Sequence, residues 1–401
     1  METASEVTWD AVVIGGGPSG STAARDLAAA GRSVLLLDRA GRIKPCGGAI
    51  PPRLIRDFDI PDHLLVARAT SARMISPRDR RVDMPIEGGF VGMVDRDVFD
   101  EWLRERAAAA GAERRTGVFE RIDRDADGVA RVRYRPNGDR DPDRLEGVRA
   151  RMIIGADGAR SKVASQTLKG ADRVPCVFAY HEIIRAPAQG VDGFDGSRCD
   201  VFYQGRLSPD FYAWIFPHGD TASVGVGSAQ KGFSLRGAVK ALRAASDLAP
   251  CETIRSEGAP IPLKPLKRWD NGRDVVVAGD AAGVVAPASG EGIYYAMVGG
   301  RLAAAAVESA LRTGDARALA SARKTFMKDH GQVFLVLGVM QHFWYRSDKR
   351  REGFVKMCSD PDVQRLTWQA YMNKELVRAD PAAHMRIFFK DMGHLLGLSP
   401  S

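Results

Sequence analysis

A glycine cluster between two apolar runs near the N-terminus constrains the fold of this chain more than any other feature. Residues 10–14 (DAVVI) predict a short buried strand, residues 19–30 a helix rich in small side chains, and residues 34–37 a second buried strand. A strand, a glycine turn, a helix and a second strand in this order indicate a β-α-β unit with parallel strands.

The glycines have a spacing that suits a nucleotide. Gly15, Gly17 and Gly20 form G-x-G-x-x-G directly after the first strand. In this pattern the first glycine permits a tight turn, the second lets a pyrophosphate approach the helix N-terminus, and the third allows close packing of helix on strand. Asp38, at the end of the second strand, can accept hydrogen bonds from a ribose. The unit predicts nucleotide binding without choosing between FAD and NAD.

Two later segments each place an aspartate after an apolar run. Asp157 follows in residues 153–161 (IIGADGARS), and Asp280 follows in residues 277–283 (VAGDAAG). In this order the motifs resemble those of the p-hydroxybenzoate hydroxylase-like flavoprotein superfamily. The resemblance implies that Asp280 contacts the ribitol of FAD and that Asp157 helps to bind FAD and NAD(P)H. It also implies that Arg96 lies near the FAD pyrophosphate.

Residues 287–292 (PASGEG) precede a long predicted helix, residues 292–311. The start of that helix would then point at the flavin pyrimidine ring. The partial positive charge of a helix N-terminus would stabilise an anionic reduced flavin there.

A narrower resemblance comes from three further segments. Residues 44–48 (KPCGG), 212–217 (YAWIFP) and 225–227 (GVG) are similar to the P-x-C-G-G loop and the Y-x-W-x-F-P…G-x-G motif of the geranylgeranyl reductase family. Residues 279–297 and the KPCGGAIP run look most like the branch that acts on chlorophyll and bacteriochlorophyll. The cofactor-binding residues expected from motif and resemblance are Gly15, Gly17, Pro18, Ser19, Gly20, Asp38, Arg39, Cys46, Gly47, Gly48, Arg96, Asp157, Gly279, Asp280, Gly290 and Gly292.

The expected fold is an α/β (α+β overall) Rossmann-like FAD-binding domain with a three-stranded meander, an inserted antiparallel-sheet substrate domain and a helical C-terminal region. The expected ranges are 8–70, 92–172 and 266–318 for the FAD-binding domain, 71–91 and 173–265 for the sheet domain, and 319–401 for the helical region. Alternating runs in residues 116–152 indicate the meander, and residues 98–110 a helix. Residues 39–60, punctuated by glycine and proline, are expected to form a loop.

The resemblance implies reduction of a geranylgeranyl chain to phytyl, on the pigment ester or on the free diphosphate, with FAD as cofactor and NADPH as electron donor. Cys46, Tyr212 and Trp214 are the candidate catalytic residues, and the candidate substrate pocket comprises Tyr212, Trp214, Phe216 and Pro217. The three aromatic residues alternate along one predicted strand and therefore share one face. An ordinary sheet core and an inert buried thiol are the alternative interpretations.

The composition excludes several classes of protein. Five cysteines without a C-x-x-C pair argue against a disulfide framework and a zinc site, and no histidine has metal-ligand spacing, including His181, His218 and His342. The formal net charge of +8 comes with no nucleic-acid-binding signature. The N-terminus has no signal-peptide core, and the apolar run 334–340 is too short to span a bilayer.

We therefore expect a cytoplasmic protein with peripheral contact to the inner, photosynthetic membrane. Residues 333–345, which are apolar and aromatic, and the basic residues 346–351 would suit docking on lipid, and a buried C-terminal helix is the alternative. Three other functions share part of the motif set: an FAD-dependent aromatic monooxygenase, a reductase of isoprenoid membrane lipids, and a non-enzymatic escort for prenyl groups.

Overall fold

The computed structural model describes residues 7–39, 41, 43–138, 141, 144–187 and 193–374. The strands are β1 Thr8–Ile14, β2 Val34–Asp38, β3 Ala49–Ile50, β4 Ala67–Ala69, β5 Ser71–Ile75, β6 Arg81–Pro85, β7 Val91–Met93, β8 Glu113–Arg124, β9 Ala130–Pro136, β10 Glu146–Gly155, β11 Cys176–Arg185, β12 Arg198–Phe202, β13 Ala213–His218, β14 Thr221–Ser228, β15 Thr253–Pro262 and β16 Val275–Val277. The helices are α1 Pro18–Ala29, α2 Pro52–Asp57, α3 Arg96–Ala109, α4 Lys162–Thr167, α5 Leu235–Ala245, α6 Ile293–Thr313, α7 Ser321–Trp344, α8 Asp348–Met357 and α9 Pro361–Asn373.

The chain folds into two compact units. The nucleotide unit comprises residues up to 44, 96–176 and 260–331, and the sheet unit comprises residues 45–95, 177–259 and those from 332 onward. These boundaries cut the chain at other places than the expected domain ranges. Residues 45–70 belong to the sheet unit because β3 and β4 pair with β7 in a small sheet of their own.

The nucleotide unit is built on a parallel sheet. Strand β1 pairs in parallel with β2 and with β10, and β10 pairs in parallel with β16. The central strands are buried along nearly their whole apolar runs, as is usual for parallel strands covered on both faces. Helices α1 and α6 pack closely on each other. The carboxyl ends of β1, β10 and β16 therefore meet at one edge of the sheet, where the three nucleotide-binding motifs begin.

The predicted meander is present in the nucleotide unit. Strand β9 pairs antiparallel with both β8 and β10. The helix expected in residues 98–110 is α3, and the long helix expected in residues 292–311 is α6. The mixed α/β architecture, including the Rossmann-like part, is confirmed.

The sheet unit contains a seven-stranded sheet in the order β15-β11-β14-β13-β12-β5-β6. Its described pairings are antiparallel apart from β12 with β5, which is parallel. Ala213 and Ile215 of β13 pack with Val239 and Leu242 of α5 in one buried cluster. Helix α5 therefore covers one face of β13, and residues alternate to the opposite face.

The expectation of a loop throughout residues 39–60 is wrong for its second half. Strand β3 and helix α2 lie there, and α2 begins at Pro52. Proline fits the first turn of a helix because its φ is already helical and its missing N–H would have no partner there. The helical C-terminal expectation holds for α7, α8 and α9, and residues 375–401 lie outside the described part of the chain.

Candidate functional site

Gly15 makes the tight turn after β1. Its φ is +106°, a conformation that side chains rarely adopt, and a Cβ atom there would lie 2.3 Å from the carbonyl oxygen of Ala156. The backbone N–H of Ala156 donates to the carbonyl of Ile14 at 2.8 Å. Only glycine fits this position, and the turn touches the start of the Asp157 loop.

The N-terminus of α1 is open where a phosphate would approach. Gly17 precedes the helix, no side chain caps it, and a Cβ built on Gly17 would meet no atom within 4 Å. The buried hydroxyl of Ser19 has no hydrogen-bond partner in the described chain. An uncapped helix start with a positive dipole end, open space and an unsatisfied hydroxyl suits a phosphate oxygen.

Asp38 is held beside this turn at the end of β2. Burial raises the pKa of Asp38, while hydrogen bonds from the backbone of Gly16 and Arg39 and the charge of Arg104 act in the opposite direction. The Arg104 guanidinium donates to the carbonyl of Gly16 at 3.1 Å and lies 3.5 Å from the Asp38 carboxylate. The carboxylate is thus fixed in the position expected for a ribose acceptor.

Asp157 has partners of its own at the end of β10. Its carboxylate accepts hydrogen bonds from the Ser161 hydroxyl and from the Val163 backbone N–H. Burial raises the pKa of Asp157, and these hydrogen bonds oppose the rise. In this chain Asp157 secures the start of α4, so it shapes the loop at the sheet edge whether or not it also touches a cofactor.

Asp280 follows β16 in a short 3-10 turn, Gly279–Ala282, and is paired with Lys44. The Asp280 side chain is only 6% exposed, against 35% for that of Lys44. A Cβ built on Gly292, which precedes α6, would lie 3.7 Å from an Asp280 carboxylate oxygen, and no side chain caps α6. Lys44 and the positive end of α6 therefore both stabilise this buried carboxylate.

The three motifs converge in the nucleotide unit. The Gly15 turn touches Ala156, the N–H of Ala278 donates to the carbonyl of Gly155 at 2.9 Å, and a Cβ on Gly279 would lie 2.7 Å from Cβ of Ser19. Open space at the start of α1, the Asp38 carboxylate and the buried Asp280 carboxylate thus lie at one edge of the sheet. The residues present fit FAD.

For three other residues expected to bind the cofactor, the described contacts do not include the Gly15, Asp157 or Asp280 motifs. Arg96 is buried at the start of α3 and makes a bidentate ion pair with Asp100, with distances of 2.8 and 2.7 Å. Arg39 is exposed, and Gly290, with φ +65°, lies in the turn before α6. Their contact with cofactor stays a prediction.

The aromatic residues of the sheet unit form a row on the face of β13 opposite α5. The ring centroids of Tyr212 and Trp214 are 5.9 Å apart, and those of Trp214 and Phe216 are 6.2 Å apart. Tyr212 lies just before the strand, and the Trp214 indole donates to the hydroxyl of Ser223 at 3.1 Å. Phe216 also packs with the buried cluster to which α9 contributes Trp368. The row is as the alternation predicts, and Pro217 faces the other way.

The Cys46 loop, residues 46–48, packs against the end of this row. A Cβ built on Gly47 would lie 2.9 Å from the Phe216 ring and 3.8 Å from the indole nitrogen of Trp214. Cys46 is half-buried, and its sulfur accepts from the N–H of Gly48 at 3.4 Å. The sheet unit therefore brings together two segments whose nearest members, Gly48 and Tyr212, are 164 residues apart in sequence.

Sequence reasoning missed three residues at these sites. Lys44 is part of the KPCGG run but is not predicted to have a role of its own, Arg104 belongs to no motif, and His218 has no metal-ligand spacing. Lys44 pairs with Asp280, Arg104 contacts Gly16 and Asp38, and His218 contacts the Cys46 loop. The only signal in the sequence was position, since Lys44 and His218 directly adjoin recognised motifs.

Comparison with known proteins agrees with this geometry. Residues 8–174 match the model of an FAD binding domain family. The geranylgeranyl diphosphate reductase of Rhodobacter capsulatus is 59% identical over 98% of this chain and 98% of its own length. The chain belongs to the geranylgeranyl diphosphate reductase family. The reductase is FAD-dependent, as the FAD binding domain and the family together show.

Two further proteins extend the comparison. The Synechocystis geranylgeranyl diphosphate reductase is 35% identical to this reductase over 96% of the chain and 97% of its own length. A geranylgeranyl bacteriochlorophyll reductase-like protein from Thermoplasma acidophilum has the same fold, with a TM-score of 0.80 over 94% of this chain and 99% of that one at 23% identity. Family and fold thus agree over most of the chain.

Proposed function

We propose that this reductase uses FAD, with NADPH as electron donor, to reduce the geranylgeranyl chain of bacteriochlorophyll, or of geranylgeranyl diphosphate, to phytyl. Three of the four chain double bonds would be reduced, one at a time. The observation that carries the proposal is the aromatic row of β13 packed against the Cys46 loop. Largely buried aromatic side chains beside one thiol are suited to a prenyl chain that must be protonated.

The chemistry explains why aromatic faces are needed. The double bonds of a prenyl chain are isolated and trisubstituted, so no carbonyl polarises them for attack by hydride. A proton added to the less substituted carbon leaves a tertiary cation at its neighbour. FAD, when bound and reduced by NADPH, supplies the hydride that completes the new C–H bond. Each round consumes one NADPH and one proton and converts one C=C into CH–CH.

The residues of the sheet unit act on the prenyl chain in this proposal. The faces of Tyr212, Trp214 and Phe216 stabilise the cation by about 0.5–2 kcal/mol each and exclude water that would trap it as an alcohol. Ser223 fixes the indole of Trp214 through its hydrogen bond. Cys46 delivers the proton to the alkene and recovers one from solvent through its exposed part.

The decisive experiment offers both substrates to the purified holoenzyme. Geranylgeranyl-bacteriochlorophyll and geranylgeranyl diphosphate are incubated separately with NADPH or NADH, and products are followed by mass spectrometry. Successive gains of two hydrogens that stop after three rounds support the proposal, and the faster substrate and nucleotide identify the physiological pair. Oxygen incorporation would identify a monooxygenase instead, and a purified protein without flavin absorbance would favour a prenyl escort.

We also propose that α7 contacts the membrane surface from which the substrate comes. Leu335, Val336 and Val339 are 68%, 38% and 61% exposed, and their spacing puts them on one face of the helix. The exposed basic residues Arg346 and Lys349 follow. No helix in the described part of the chain is long and apolar enough to cross a bilayer. Apolar residues with adjacent positive charge suit peripheral binding to anionic lipid.

Vesicle flotation tests this contact. The wild-type protein should float with anionic vesicles at low salt, and Leu335→Ser/Val339→Ser should reduce the bound fraction while soluble diphosphate is still reduced. Exposed Val7, which directly precedes β1, provides the matched control Val7→Ser. Equal flotation of all three proteins would exclude α7 as the contact.

A further inference from the structure

His218 lies at the end of β13 with both ring nitrogens facing oxygen atoms. Nδ1 is 2.9 Å from a carboxylate oxygen of Asp95, and Nε2 is 3.1 Å from the carbonyl oxygen of Gly47. The side chain is only 3% exposed. Alternation along β13 puts His218 on the face that carries Trp214 and Phe216. The imidazole therefore ends the aromatic row and joins it to the Cys46 loop.

Both partners of the ring are acceptors. A carbonyl oxygen can only accept, so Nε2 donates its hydrogen to the carbonyl of Gly47, while Nδ1 faces the Asp95 carboxylate. The nearest cation on the neighbouring strand β4, Arg68, is paired with Asp62, and the hydroxyl of Thr221 donates to the backbone carbonyl of His218. The other titratable group at this loop is the thiol of Cys46.

The loop has little freedom to move independently of this ring. Gly48 has φ +73°, and a Cβ there would lie 2.4 Å from the carbonyl oxygen of Val94 and 2.5 Å from Cε1 of His218. A Cβ built on the preceding Gly47 would lie 2.9 Å from the Phe216 ring. The backbone that carries Cys46 is thus clamped between an imidazole and a phenyl ring, with a hydrogen bond on the imidazole side.

We propose that His218, oriented by Asp95, is a positioning residue that fixes the Cys46 thiol for proton delivery by holding the carbonyl of Gly47. The role of Cys46 as proton donor belongs to the proposed function, on which this inference rests. The positioning itself concerns one hydrogen bond and can be measured without turnover.

Two substitutions separate the hydrogen bonds of the ring. The amide nitrogen of asparagine takes the place of Nδ1, and that of glutamine takes the place of Nε2. His218→Asn therefore keeps a donor toward Asp95 and loses the one toward Gly47, whereas His218→Gln keeps the donor toward Gly47. His63→Asn, the same change at an exposed histidine outside the Cys46 loop and the aromatic row, is the matched control.

Both half-reactions of the holoenzyme are followed by stopped flow. His218→Asn should slow alkene reduction roughly 10- to 100-fold, the range expected when a reacting group is misplaced by about 1 Å. Flavin reduction by NADPH should stay unchanged. His218→Gln should recover alkene reduction to within about threefold of wild type, and His63→Asn should match wild type. Equal rates in the asparagine and glutamine variants, whether both fast or both slow, would overturn the proposal.

Thiol alkylation gives the readout that is independent of activity. Iodoacetamide labelling is resolved by peptide mass spectrometry, with Cys176 and Cys251, also half-buried, as internal references. The labelling rate of Cys46 should change several-fold in His218→Asn and return in His218→Gln, while the references stay constant. A constant Cys46 rate would overturn the positioning role. Changed labelling together with no alkene reduction by the wild type would retain the positioning role and refute the proposed function.

Discussion

Replacement of Gly17 by alanine tests the phosphate site at α1 most directly. The φ of Gly17 is −77°, which alanine adopts without strain, and the added Cβ would meet no protein atom within 4 Å. The new methyl group would instead occupy the space through which a phosphate approaches the helix N-terminus. The protein should therefore keep its fold and lose its cofactor.

The expected changes in stability and in FAD affinity can both be estimated. Exchange of glycine for alanine at a helix N-cap costs about 1 kcal/mol or less, so the free energy of unfolding of the flavin-free protein should change little. Loss of two hydrogen bonds to a charged phosphate, at roughly 1.5 kcal/mol each, amounts to about 3 kcal/mol and a roughly 100-fold higher Kd for FAD. Gly15→Ala is the contrasting variant, because φ +106° and the contact with Ala156 should destabilise the fold itself by about 2 kcal/mol or more.

Fluorescence titration with FAD and thermal unfolding of the flavin-free protein measure the two quantities. We expect Gly17→Ala to bind FAD weakly at an almost unchanged melting temperature, and Gly15→Ala to melt earlier with or without FAD. A Kd for Gly17→Ala within threefold of wild type would refute the assignment of the phosphate to α1. A melting temperature as low as that of Gly15→Ala would refute the inference that the position is open.

Three further predictions concern single interactions. Lys44→Ala and Asp280→Asn should each weaken FAD binding about tenfold, and the double variant should be less than additive because the two side chains share one ion pair; additive losses would argue against the pair. Cys46→Ala should slow alkene reduction at least roughly 100-fold, as loss of a general acid does, with flavin reduction by NADPH unchanged in stopped-flow traces; two unchanged half-reactions would contradict its role. The hydrogen bonds from Arg32 lower the pKa of Glu308 in the folded protein. The ion pair therefore stabilises the folded state fully at pH values above the pKa that Glu308 has in the unfolded chain. This stabilisation is lost as the pH falls through the pKa of Glu308 in the folded protein. Glu308→Gln should thus cost about 0.5 kcal/mol near neutral pH, allowing for solvent screening, and nothing near pH 2; an equal loss at both pH values would exclude the ion pair as the cause.

Local patterns account for what could be predicted from the sequence. The β-α-β unit is visible because a buried parallel strand is a short apolar run, and because the turn of Gly15 tolerates glycine alone. The shared face of Tyr212, Trp214 and Phe216 follows from the two-residue period of a strand. Helix α2 was not predicted because the proline at its first position is equally typical of a loop.

Asp157 shows where a motif leaves the chemistry open. Its position at the end of a strand was predictable from the sequence. The hydrogen bonds that its two carboxylate oxygens accept from Ser161 and Val163 were not, because no motif spacing specifies them. Arg96 is similar, since its guanidinium makes a bidentate pair with Asp100 one helical turn away. A motif predicts the position of a side chain along the chain. The protein atoms that it contacts determine which of its polar atoms can still bind a ligand.

The sequence by itself determined the nucleotide-binding unit, the family and the aromatic strand, because each depends on residues within one short segment whose spacing matches a backbone period or turn. Only the tertiary structure decided that Lys44 meets Asp280, that Arg104 reaches Gly16 and Asp38, and that His218 holds the Cys46 loop. These contacts join segments far apart along the chain. Each contact depends on the order of the strands in the sheet and on the direction of individual side chains. Neither produces a repeating pattern in the sequence, so these contacts could not be predicted from it.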